Sequence, residues 1–402
     1  MEITKRKNNL CNTYILLWLL GIVQGFFLSN SFVSLILSVP LMFITLFCFV
    51  KMFEECPPKG ALKILAIFFV VLICYGLALV LLDNAVKPYG KVDKNSFLLM
   101  VIISLGPVFA FYYFTRKGLL DVGRIKFWFF VFLVVYIAQY FNTERRELAR
   151  LMMGGYRYEE ITNNTSYIIL SLFPALFLFR KKTIVQYLAM GIIFYFVISS
   201  MKRGALLVGG VMLVWFVYIS TKSTTKNRRL GLVILSIVLL AVGWRFINTF
   251  YSRSEFFQYR VEETMSGEAS SRDILYSKLW SHYRNNDNIV QLAFGEGGYH
   301  TYNIAGNDAH NDWLELLIDC GFITTLIYLF YWVAFFNECR KARFQDYLLY
   351  SIIGTCFIYT FLRTFFSMSF SDMPFYLSMV MGYCFAQIGK PSYQIDPSLL
   401  LQ

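Results

Sequence analysis

Charge is scarce in this chain: only 15% of its 402 residues are Asp, Glu, Lys or Arg, and histidine occurs three times. A soluble globule of ordinary composition carries about a quarter charged residues, so that class is excluded. No CxxC pair occurs and none of the eight cysteines lies between 251 and 312. That removes a disulfide framework and a cysteine-ligated metal ribbon. The chain also lacks a GxSxG elbow, an HExxH helix and an EF-hand loop, so the usual serine-hydrolase, zinc-protease and calcium-loop patterns are absent. Nor is there a compact basic segment. The net charge of +12 is spread along the sequence, which points to membrane topology and to no nucleic-acid partner. No small-residue cleavage site follows the first apolar run, so that run is read as a retained helix.

What remains is apolar. Hydrophobic residues make up 57% of the chain, aromatics 19%, and the mean hydropathy is +0.54. Windows of about 19 residues place apolar spans at 14–28, 32–53, 61–82, 97–115, 127–141, 167–179, 184–200, 205–220, 230–250, 313–336, 347–366 and 375–388. The fold class expected is all-α, a polytopic integral membrane protein of about 12 transmembrane helices, several near the short limit for crossing a bilayer. Every second loop is basic, from Lys5, Arg6 and Lys7 through Arg180, Lys181 and Lys182 to Arg340, Lys341 and Arg343. Cytoplasmic loops carry such an excess of Lys and Arg. This register puts both termini in the cytoplasm and 251–312 outside. Residues 1–250 then hold the first nine transmembrane helices, 251–312 the large outer loop, 313–390 the last three helices, and 391–402 a cytoplasmic tail.

The outer loop gathers all three histidines, His282, His300 and His310. It ends in Asp308-Ala309-His310-Asn311-Asp312-Trp313-Leu314-Glu315, where titratable groups run straight into an apolar segment. A histidine there can be neutral at working pH, accept a proton from an attacking hydroxyl and be oriented by a neighbouring carboxylate. The other reading of His310 is a polar residue capping the helix. His282 and His300 read as ordinary loop histidines. Asp308, His310, Asp312 and Glu315 match no metal-ligand spacing, so no metal is expected there. Upstream, Ile274, Leu275, Lys278 and Leu279 recur at helical spacing after a serine cap. Phe294-Gly295-Glu296-Gly297-Gly298 is either a plain tight turn or a loop that bares backbone N–H groups to an anion.

Two outward segments run against the charge bias. Residues 142–166 mix Arg145, Arg146, Arg150 and Arg157 with glutamates, and Lys202 and Arg203 stand at an outer helix end. Each admits two readings: an anionic group held by arginine, or a local ion pair or snorkelling side chain.

The phrase Ser199-Ser200-Met201-Lys202-Arg203-Gly204-Ala205-Leu206-Leu207 is followed by Ser271-Arg272-Asp273 and Phe294-Gly295-Glu296-Gly297 in the large loop. Then come His310-Asn311-Asp312-Trp313-Leu314-Glu315 and Gly321. This succession resembles the bacterial O-antigen ligase and O-antigen polymerase superfamily, over about residues 156–322 and in the span pattern. The Arg157 stretch is similar to a family phrase in which an arginine precedes Asn-Pro-Asn, although Asn163-Asn164 here lacks the proline.

The resemblance implies a lipid-sugar-dependent glycosyltransferase fold in the bacterial inner membrane, with the large loop in the periplasm. It implies Arg203 and Arg272 as holders of the donor diphosphate and His310 as the catalytic residue. Asn311, Glu315, Asp308, Arg157 and Lys202 are implied in support. The donor would be an undecaprenyl-diphosphate-linked oligosaccharide and the acceptor another glycan, within membrane lipid and with other polysaccharide assembly proteins as partners. No cofactor is expected. The Met-Lys-Arg-Gly-Ala-Leu form and the Asp-Trp after His310-Asn311 favour a polymerase over a ligase that transfers to lipid A core. A flippase or transporter of the same lipid-linked sugar is the reading from a different class. The spans lack the paired broken helices and midplane charges expected of transporters.

Overall fold

A computed structural model describes residues 2–27, 31–81, 94–143, 165–200, 202–222, 272–306 and 308–389, with five isolated positions between 245 and 262. Among the described residues there is no strand. The helices are α1 (Glu2–Phe27), α2 (Ser31–Glu55), α3 (Gly60–Leu81), α4 (Lys94–Arg116), α5 (Val122–Asn142), α6 (Thr165–Leu170), a 3-10 helix (Phe173–Phe179), α7 (Thr183–Ser199) and α8 (Arg203–Lys222). They continue with α9 (Arg272–Arg284), α10 (Ile289–Phe294), α11 (His300–Ala305), α12 (Asp312–Asp319), α13 (Gly321–Gln345), α14 (Tyr347–Phe366) and α15 (Phe375–Gln387). Most of the expected span 230–250, the tail 391–402, Arg157 with most of 142–166, and most of 251–271 lie outside the described residues.

Seven helices among the described residues are long and apolar enough to cross a membrane: Val33–Glu55, Gly60–Leu81, Phe97–Arg116, Val122–Asn142, Arg203–Lys222, Gly321–Gln345 and Tyr347–Phe366. Large apolar side chains on them face outward, Phe43 at 69% and Val214 at 70% exposure among them. Such surface is costly in water and at no cost in lipid. The chain is therefore a helical, multi-pass membrane protein. Pro40 and Pro107 lie inside α2 and α4, a placement tolerated in membrane helices where neighbours re-satisfy the freed carbonyls.

The chain divides into two units, residues 1–125 with 272–402, and residues 126–271. In the first, α4 packs against α2, α3 and α15, while α13 packs against α3 and α14. Gly382 makes the α4–α15 approach possible: a Cβ there would meet Val108 O at 2.6 Å and Tyr112 N at 2.8 Å. Phe68 stacks on Tyr328, 5.0 Å between ring centroids, tying α3 to α13. In the second unit the 3-10 helix brings Phe173 and Phe177 to within 5.8 and 5.1 Å of Phe216 on α8.

The short helices α9 to α12 belong to the first unit. Leu279, Ala309 and Ile318 are buried together, with Leu275, Tyr283, Ile304, Ala305 and Leu314 packed around them. The expected amphipathic helix is thus α9, with Leu275 and Leu279 facing this small core. Ile274, grouped with them by spacing, is instead 73% exposed. The apolar run that begins at Trp313 is broken near Cys320, so α12 is separate from the candidate span of α13.

Candidate functional site

Three acids of α12 organise the polar cap. Asp312, Glu315 and Asp319 follow one another at helical spacing on the face of α12 that is buried. The Asp319 carboxylate accepts the Tyr299 N–H at 2.8 Å and the Thr301 N–H at 2.9 Å, gripping the start of α11. Glu315 accepts the Ala309 N–H at 2.9 Å and the Thr301 hydroxyl at 3.2 Å. Asp312 accepts the Tyr328 hydroxyl at 2.6 Å and the Ser369 N–H at 2.8 Å. Burial pushes Asp312 and Asp319 up to about 7. It also raises Glu315 well above the usual carboxylate range, helped by repulsion from Asp319 and Asp308. Asp308 is raised by burial as well. These acids are clamps on backbone and hydroxyl donors, held in a setting that favours their neutral forms.

The glycine phrase is a turn. Its Glu296 N–H donates to Ile318 O at 2.9 Å and its Gly297 N–H to Asp319 O at 3.1 Å, so these donors face protein carbonyls. Gly295 and Gly321 both have positive φ, 86° and 81°. A Cβ on Gly295 would strike Asp319 O, and one on Gly321 would strike Ala293 O and the Gly295 nitrogen. Two backbones meet here at a distance only glycine permits. Tyr75 from α3 donates its hydroxyl to the same Asp319 carbonyl.

His310 sits immediately before α12, half-buried, in the left-handed region at φ 50°. A non-glycine residue in that region is uncommon, and among the described residues only Tyr299, at φ 63°, shares it. The helix cap is the next residue: Asn311 Oδ1 accepts the N–H groups of Trp313 at 3.0 Å and Leu314 at 3.3 Å. Capping therefore falls to Asn311. Glu315 acts on His310 through the backbone, by holding Ala309. Arg272 opens α9, and in the second unit Arg203 opens α8 beside Lys202, whose Nζ lies 5.2 Å from the centre of the Tyr167 ring. Each arginine thus stands at the positive end of a helix dipole, where an anion is favoured.

Neither the models of known protein families nor the curated proteins compared with this chain match it.

One constellation went unread in the sequence. His282 Nε2 and His300 Nε2 each lie 2.8 Å from an oxygen of Glu296, Oε1 and Oε2 respectively. Asn286 Nδ2 donates to Oε1 at 2.8 Å. Burial holds the His300 imidazole below its ordinary value, against the pull of Glu296. The signal available was Glu296-x-x-x-His300 after a glycine turn; His282 is 14 positions from Glu296, too far for local spacing to reveal it. Arg363 is a second unread residue. Its guanidinium is buried and donates to the Asp372 carboxylate and carbonyl, each at 2.6 Å.

Proposed function

We propose that this protein is a polymerase of O-antigen, capsular or exopolysaccharide repeat units, transferring glycan from a polyprenyl diphosphate to an acceptor sugar hydroxyl at the periplasmic face. The observation that carries this reading is His310. It is a half-buried histidine with left-handed backbone, set between Ala309, which Glu315 clamps, and the helix cap Asn311. In this reading the protein has about 12 spans with both termini cytoplasmic, in the bacterial inner membrane, as the alternation of basic loops requires.

The acceptor hydroxyl oxygen attacks the anomeric carbon of the donor sugar while the bond from that carbon to the diphosphate oxygen breaks. The diphosphate leaves with the electron pair on its lipid, and the anomeric configuration inverts. The His310 imidazole takes the acceptor proton, and Arg203 and Arg272 stabilise the negative charge that develops on the leaving diphosphate. The ligase reading shares every step and differs in the acceptor, so it remains the alternative.

The test is the glycan ladder made by cells carrying single variants at matched protein levels. Arg203→Ala and Arg272→Ala abolish long chains, and lysine at either position restores them in part, since it keeps the charge and loses the planar fork. His310→Ala lowers turnover by on the order of 10² or more, the scale of a lost general base, with donor binding retained. A normal ladder from His310→Ala would remove this residue from the chemistry.

A further inference from the structure

We propose that His282, Glu296 and His300 form a site for a single divalent transition-metal ion, with Zn2+ the best match to the donor set. The three residues come from different segments: the last turn of α9, the glycine turn and the first residue of α11. One ligand atom from each lies within 4.8 Å of the other two. Two imidazole nitrogens and a carboxylate, with coordination positions left open, are a set that zinc uses readily. Its tetrahedral sites use bonds of about 2.0–2.2 Å, so the three side chains would close around the ion on binding.

Two further observations point to a cation. The Glu296 side chain is only 10% exposed, and among the described residues its ion-pair partners are the two histidines, with no lysine or arginine. A nearly buried carboxylate is stabilised by hydrogen-bond donors or by positive charge, and a divalent ion would supply the latter. The carboxylate is also oriented from behind. Asn286 Oδ1 accepts the Asn288 N–H at 2.9 Å, which turns its Nδ2 toward Glu296; metal-binding carboxylates characteristically carry such a support. His282 is about one-third exposed, at 36%, leaving the open positions to water.

Thr301, next to His300, is gripped by Glu315 and Asp319. The ion would therefore clip together the frame that carries His310 while standing outside the transfer step. The inference is independent of the glycosyltransferase reading, because its readout is ion binding.

The full-length chain in detergent is stripped with chelator, desalted and titrated with Zn2+, and with Co2+ as a spectroscopic probe. The expected result is one ion per chain by elemental analysis and a melting temperature raised by Zn2+. His282→Ala and Glu296→Gln each weaken binding by at least ~10-fold, whereas His310→Ala keeps it. No uptake by the wild-type chain would overturn the proposal: both rings would then simply donate Nε2–H to Glu296. Uptake undiminished in the two variants would overturn it too, placing the ion elsewhere. Should the variants fail to accumulate, the wild-type Co2+ spectrum decides. Nitrogen and oxygen ligation supports the site, and thiolate charge-transfer bands contradict it.

Discussion

Glu315 shows how a residue singled out for chemistry can serve it from a distance. Both its oxygens are engaged within the protein, one with the Ala309 N–H and one with the Thr301 hydroxyl. Glu315→Ala leaves a buried N–H without an acceptor, and loss of that bond costs about 1–3 kcal/mol. Glu315→Gln keeps an oxygen for Ala309, and because burial favours the neutral acid, the amide is a close substitute. Thermal unfolding of the two variants checks this: Gln near wild type and Ala clearly lower, with equal losses contradicting the clamp. His310, Asn311 and Glu315 were legible in the sequence because they sit within one helix start, where spacing is geometry. Asp319 and Glu296 were not. Their partners lie up to 20 and 14 residues away and come within reach only after the glycine turn has folded back.

Element boundaries follow the same logic. The apolar windows expected at 61–82, 97–115 and 347–366 coincide closely with α3, α4 and α14, since a continuous apolar run states its own length. The break between α12 and α13 could not be read in that way, because hydropathy continues through Leu316, Leu317, Ile318 and Cys320. It is a backbone event, made by Gly321 at positive φ against Gly295. The buried acids of α12 also give this cap a pH dependence opposite to ordinary acid denaturation. Asp312 and Asp319 are raised from 3.8 to about 7 by burial. Between those values the folded cap holds more protons than the unfolded chain, so stability is greatest at low pH and falls as pH rises through 7. Hydrogen exchange at the Thr301 and Ala309 amides, corrected for intrinsic rates, is expected to show stronger protection at pH 5 than at pH 8. Asp319→Asn should flatten part of that slope, and protection that rises with pH would contradict it.

For the whole molecule, helical multi-pass architecture was legible from composition together with the apolar windows, because 57% hydrophobic residues can be solvated only by lipid or by each other. Orientation rests on the basic loops. Reporter fusions at Lys182 and Arg228 are expected on the cytoplasmic side and those at Gly267 and Asn285 outside; a cytoplasmic signal from Gly267 would put the histidines on the wrong side for a lipid-linked donor. The central claim is bond formation, and the most direct measurement is made on the purified full-length chain in lipid vesicles loaded with a polyprenyl-diphosphate-linked oligosaccharide. The account predicts lengthened glycan together with released polyprenyl diphosphate, both lost in His310→Ala. Lipid-linked sugar that crosses the bilayer with its length unchanged, equally well in wild type and His310→Ala, would contradict it.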